Sequence, residues 1–316
     1  MPNKKRILHI LLLSLGTIFV MAMAFLKTDF SLFFKSFIQI RISLLPLLIL
    51  NLLLMWFFGV ISLYVLILPL KKIPIGHFAL DQMFSILLGA FTPGNAGESA
   101  IILLLKKENI NLQKGTSLFL LNKIVNLLLI LISGLCFLFY LKINVAGLLI
   151  GVALMIGIVL VCVYTPLRSV IAKKILKRYF SRLLDFFRTF SDLLKVYHRA
   201  MLVNIGLNIC KVILVGTSVY ITFLIFHLHI DYIPLLTSVN LARIMGLIPI
   251  TPAGWGIVEG GTSVLLSHLG YDKTIILAGM FFMRTLNLLL SLIIGIILLL
   301  IRRSIKKNKN HRNLRV

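Results

Sequence analysis

Two short polar interruptions sit inside the most apolar stretches of this chain, Thr92-Pro-Gly-Asn-Ala-Gly-Glu98 and Thr251-Pro-Ala-Gly-Trp-Gly-Ile-Val-Glu259. Each sets helix-breaking residues and a carboxylate where a bilayer interior is expected. Unpaired amides in lipid cost several kcal/mol each, so non-helical chain at membrane depth must be buried in protein or line a wet cavity. The two breaks therefore constrain the fold more than any other feature.

The breaks are two copies of one element. Lys123, Asn126 and Gly134 follow Glu98 by 25, 28 and 36 residues, and Arg284, Asn287 and Gly295 follow Glu259 at the same spacings. Leucine-rich segments resemble one another by composition alone, but a basic residue, an Asn and a Gly in register are not explained that way. Duplicated membrane segments with Gly/Pro breaks in matching positions point to a transporter's binding site.

At 59% hydrophobic and a mean hydropathy of +1.05, the 316-residue chain is too apolar for a soluble globule. A crossing helix needs about 20 apolar residues. Spans are expected at 7–26, 43–70, 116–140, 145–165, 201–227 and 274–301, with the breaks inside two further apolar segments, 79–105 and 235–268. The first run is too long for a signal peptide and lacks a convincing cleavage site, so it reads as a retained helix. Cys136, Cys162 and Cys210 fall within spans and read as packing residues, without the spacing of a zinc or disulfide framework.

The net charge of +24 would suggest nucleic acid in a soluble protein. Beside membrane spans, Lys and Arg instead mark the cytoplasmic side. If both broken segments dip in and return, 24 of the 33 basic residues lie on the cytoplasmic side and 5 outside. If both cross fully, the tally is 13 inside and 16 outside. The re-entrant arrangement obeys the rule, and in it the hairpins enter from opposite sides, so the repeats are inverted. Four basic residues, Lys123, Lys211, Arg243 and Arg284, remain within membrane segments.

The expected architecture is an all-α polytopic membrane protein of about six full transmembrane helices and two re-entrant broken-helix hairpins. Residues 1–42 form an N-terminal helix and outer amphipathic segment. Residues 43–140 form the first repeat, 141–200 a span and a basic cytoplasmic helix, 201–301 the second repeat and 302–316 a basic tail. Both termini are expected in the cytoplasm, and the chain in the cell membrane, with homo-oligomers allowed.

Each break ends at the start of a second half-helix, whose free amides and dipole favour an anion, and a phosphate is the natural guest. Pro93 and Pro252 remove backbone donors, and Gly94, Gly97, Gly254 and Gly256 permit close approach. Lys123 and Arg284 either neutralise that phosphate or pair with Glu98 and Glu259. The glutamates either cap their half-helices, form fixed salt bridges, or bind a cationic headgroup or a coupling proton. Asn126 and Asn287 are interhelical hydrogen-bond glue or headgroup ligands. Arg243 and Asp81 are weaker candidates, and Trp255 suits a cavity wall or interfacial anchor.

Within 166–200, Leu176, Phe180, Leu183, Phe187, Phe190, Leu194 and Tyr197 share a helical face among basic residues, which suits an interfacial helix on anionic lipid or a plain topology anchor. No nucleotide, dinucleotide, zinc-protease or serine-hydrolase motif occurs, and no metal, cofactor or nucleic acid partner is expected.

The paired elements Thr92 to Glu98 and Pro249 to Glu259 resemble the membrane domain of the lysyl-phosphatidylglycerol synthase/flippase family. That resemblance implies movement of aminoacylated phospholipid between leaflets, with both glutamates and their adjoining Gly and Pro residues at the transport cavity. In the family a separate soluble domain carries out the synthase reaction, so that activity is not expected of this chain. The expected function is a flippase or scramblase-like transporter moving a phospholipid or polyprenyl-phosphate-type lipid between leaflets through a cavity between the two re-entrant hairpins. The alternative is a membrane-embedded, lipid-modifying transferase using Glu98 or Glu259 as general base.

Overall fold

A computed structural model describes residues 29–92, 95–141, 198–247 and 251–313. Every regular element among them is helical. The elements are α1 (Phe30–Ile38), α2 (Leu45–Ile67), α3 (Ile75–Ala90), α4 (Ala100–Lys107), α5 (Leu112–Leu135), α6 (Phe137–Tyr140), α7 (His198–Ile225), α8 (Tyr232–Met245), α9 (Ile257–Ser267) and α10 (Lys273–Asn313). Local chemistry starts several of them. The Asp29 carboxylate accepts from Leu32 N at 3.1 Å, Asn111 from Gln113 N at 3.0 Å, and Asp272 from Thr274 N at 2.8 Å, each satisfying an amide that a helix start leaves free.

Four stretches are long and apolar enough to cross a membrane: Ile42–Ile67, Leu112–Leu135, His198–Ile225 and Lys273–Ile297. They coincide with four of the six expected spans. The other two, and the basic segment up to residue 197, lie outside the described residues. The last helix runs on through Asn313, so the segment expected as a tail continues helical.

The burial pattern suits lipid rather than water. Leu47, Leu50 and Phe57 on α2 and Leu289, Ile293 and Ile296 on α10 are exposed, while Asn51, Asn204, Asn208 and Ser218 are buried. Those buried polar groups tie spans together. Ser218 Oγ donates to Asn51 Oδ1 at 2.8 Å, and Asn204 Nδ2 donates to Asn122 Oδ1 at 2.8 Å and to the Ser62 carbonyl at 2.6 Å. Polar side chains act as such interhelical glue where hydrocarbon offers no partner.

The broken segments are short helix pairs. With 16, 14 and 11 residues, α3, α8 and α9 extend about 24, 21 and 17 Å at 1.5 Å per residue, and the 8-residue α4 about 12 Å. None alone matches a hydrocarbon core of about 30 Å. The chain turns back at each break. A Cβ on Gly97 would lie 2.4 Å from the Leu88 carbonyl oxygen, one on Gly246 2.5 Å from Val258 Cγ2, and one on Gly261 3.2 Å from Ala242 Cβ.

Each pair packs on the last span of the other half. Gly134 of α5 meets the backbone of α8, and Gly295 of α10 meets Leu87 of α3. These are the matching glycines of the sequence repeat, and their environments differ. A Cβ on Gly134 would fall 2.8 Å from Leu241 N, whereas one on Gly295 would meet only Leu87 Cδ2 at 3.1 Å. Gly134→Ala is expected to cost about 1–3 kcal/mol in detergent-solubilised thermal unfolding, by forcing two backbones apart. Gly295→Ala should cost less, because a leucine tip can rotate away; equal losses would contradict this packing.

Candidate functional site

The two breaks, with α2, α5, α7, α8 and α10, enclose a cavity of about 650 Å³. The four basic residues that the sequence is expected to place within membrane segments line it: Lys123 from α5, Lys211 from α7, Arg243 from α8 and Arg284 from α10. Glu98 and Glu259 are the only acidic residues lining it among the described residues. The formal balance is two positive charges in excess.

At the first break, Thr92 organises the turn. Its Oγ1 accepts from Gly97 N at 2.6 Å, and its carbonyl accepts from Asn95 N at 3.2 Å, with Asn95 in the left-handed region at φ 58°. Glu98 then presents its carboxylate to Lys123, which forms a direct ion pair with Oε2. Pro93 and Gly94 lie outside the described residues.

The second break is held more tightly. Glu259 is fully buried, with Oε1 accepting from Arg284 Nη1 at 2.6 Å and Oε2 accepting from Gly256 N at 2.6 Å. Its carboxylate therefore caps its own half-helix and neutralises Arg284 at once, combining two of the roles left open by the sequence. The turn places Gly254 at φ 73° and Gly256 at φ 81°, a region that Gly enters without steric cost. Pro252 accepts from Trp255 N at 3.0 Å through its carbonyl. Trp255 packs its ring 5.3 Å from the Arg284 guanidinium carbon.

Ala253 joins the two breaks. Its amide donates to the Thr92 carbonyl at 3.1 Å, and its own carbonyl accepts from Arg284 Nη2. It does so at φ 48°, a conformation costing an L-residue roughly 1–2 kcal/mol, so the surrounding contacts must hold it there.

Asn126 and Asn287 both line the cavity, and in both the Oδ1 atom is buried without a hydrogen-bond partner among the described residues. Neither carbonyl oxygen serves as interhelical glue in this arrangement. Arg243 Nη1 donates to Asn240 Oδ1 at 3.1 Å and pairs with no carboxylate among the described residues. Asn240 in turn donates to Ser133 Oγ at 2.9 Å, linking α8 to α5.

Lys211, like Arg243, is a cavity cation that the repeat does not mark. It has no counterpart in the duplicated pattern, yet it lines the cavity and makes no hydrogen bond or ion pair among the described residues. Its charge interacts with Lys123, Glu98 and Arg243. The available signal was its position inside an expected span, since intramembrane ionisable residues are functional candidates by default. Gln82 and Asn122 also line the cavity, and no motif in the sequence points to them. Among the described residues no group of His, Cys, Asp and Glu could hold a metal ion.

Membrane-length helices that expose leucine and bury asparagine around a net-cationic cavity define a multi-pass membrane protein with an internal polar site. The chain belongs to the family described as the lysylphosphatidylglycerol synthase TM region, which it matches over residues 7–295. A comparison with curated proteins found no match.

Proposed function

We propose that this protein moves a phosphate-bearing lipid between leaflets, passing the headgroup through the cavity while the acyl chains stay in lipid. The observation that carries this reading is the excess of two cations, Lys211 and Arg243, at a site where a charge is expensive unless compensated. An anionic headgroup supplies the missing charge. Membership of the lysylphosphatidylglycerol synthase TM region family supports a lipid-related role.

In this reading α3 with α4 and α8 with α9 are re-entrant hairpins of an inverted repeat, entering from opposite faces of the cell membrane with both termini cytoplasmic. The bond from Ala253 to Thr92 closes one tip on the other. Passage of a headgroup requires that contact to open, and the two ion pairs are the contacts an incoming phosphate competes with. The ion-paired glutamates hold the site's geometry in this scheme. The transferase alternative asks Glu98 or Glu259 to act as a base while each is engaged by a cation, and it is the weaker reading.

Reconstitution into liposomes with fluorescent lipids tests the proposal. Wild type should translocate anionic lipids, and Glu98→Gln and Glu259→Gln should slow the process about tenfold or more. Failure to move any phosphate-bearing lipid would refute it. Cysteine labelling that placed residues 72 and 106 on opposite faces would refute the re-entrant topology.

A further inference from the structure

We infer that the cavity is charge-matched to a dianion, so that the headgroup it accepts is a phosphate monoester in preference to a phosphodiester. This rests on the lipid-transport reading and narrows its substrate class.

The charges on the cavity wall divide into neutralised pairs and a remainder. Glu98 offsets Lys123 and Glu259 offsets Arg284 in direct contacts. Lys211 and Arg243 remain without a carboxylate among the described residues, and Arg243 has only the neutral Asn240 amide at 3.1 Å. No histidine among the described residues lines the cavity, so its balance does not change near neutral pH through imidazole protonation.

A zwitterionic headgroup brings no net charge to two bare cations, and a phosphodiester brings one negative charge. A phosphate monoester brings about −1.5 to −2 at pH 7 and three acceptor oxygens. Those oxygens suit a lysine ammonium together with a guanidinium whose remaining donors are free for bidentate contact. An amine-bearing headgroup finds no open carboxylate on this wall, since both Glu98 and Glu259 are engaged. The same chemistry occurs in a lipid phosphate and in a soluble phosphate, so the two must be compared directly.

The chain's two tryptophans, Trp56 and Trp255, both line the cavity and report its occupancy. The full chain in detergent micelles would be titrated at pH 7.5 with short-chain phosphatidate, phosphatidylglycerol, phosphatidylcholine and inorganic phosphate, following tryptophan fluorescence. Phosphatidate is expected to bind about tenfold or more tightly than phosphatidylglycerol, a margin that shrinks as pH falls below about 6 and the monoester takes up a proton. Lys211→Gln and Arg243→Gln should each level the two lipids, and Lys211→Arg should keep the preference.

Equal or tighter binding of phosphatidylglycerol would overturn the dianion inference and leave transport of anionic lipids standing. Retention of the full preference by both glutamine variants would overturn it equally. Inorganic phosphate binding as tightly as phosphatidate would assign the site to a soluble phosphate and overturn the lipid headgroup.

Discussion

Glu259→Ala is expected to destabilise the protein by about 3–5 kcal/mol, because it strands a cation rather than merely deleting a contact. Arg284 would lose its carboxylate partner while remaining mostly buried, at 17% side-chain exposure, and the Gly256 amide would lose its acceptor. The double variant Glu259→Ala with Arg284→Met should recover much of that loss, since an apolar pair carries no unpaired charge. Urea or thermal unfolding in a fixed detergent measures both. A single variant within about 1 kcal/mol of wild type would show that the buried pair does not hold the second break. Glu98→Ala should cost less, because Lys123 is 35% exposed and an ammonium on a long stem can turn toward water.

The second large effect separates function from stability. The double variant Lys211→Gln with Arg243→Gln removes both excess charges and is expected to slow translocation of anionic lipid about 100-fold. That figure corresponds to about 1.4 kcal/mol for each of two lost charge-assisted contacts. The unfolding midpoint should stay unchanged or rise, because neither cation has an ion pair to lose among the described residues. Residues kept for binding at the expense of stability behave this way. Unaltered translocation would remove the surplus charge from the mechanism, and a large drop in midpoint would make these residues structural.

Much of the helical framework is legible in the sequence. The spans expected at 43–70, 116–140, 201–227 and 274–301 appear as helices because apolar length is a local property that the bilayer dictates. The short helices at the breaks follow from the Pro and Gly clustered there, which interrupt the helical hydrogen-bond ladder and permit turn conformations. Gly134 and Gly295 stand out as landmarks, but the sequence does not say that Gly134 meets α8 and Gly295 meets α3.

The site divides along the same line. Glu98, Glu259, Lys123 and Arg284 are recognisable from their repeated spacing, while several partners for them remain possible. Helix packing selects the pairs, and it also brings in Lys211, which the repeat does not mark. The Oδ1 atoms of Asn126 and Asn287 are unpartnered among the described residues, which no pattern of residue types could indicate.

What the sequence determined by itself is the class of solvent, the places where helices break and the identity of the four basic residues expected within membrane segments. Those follow from hydropathy, backbone restriction and charge location, all read along the chain. Only the tertiary structure decided that the four cations share one cavity, that two are neutralised and that two have no carboxylate partner among the described residues. Each ion pair joins residues 25 apart in sequence, Glu98 with Lys123 and Glu259 with Arg284, and the cavity gathers both pairs from elements as distant along the chain as Glu98 and Arg284. That gathering is set by how the helices pack, and no local pattern encodes it.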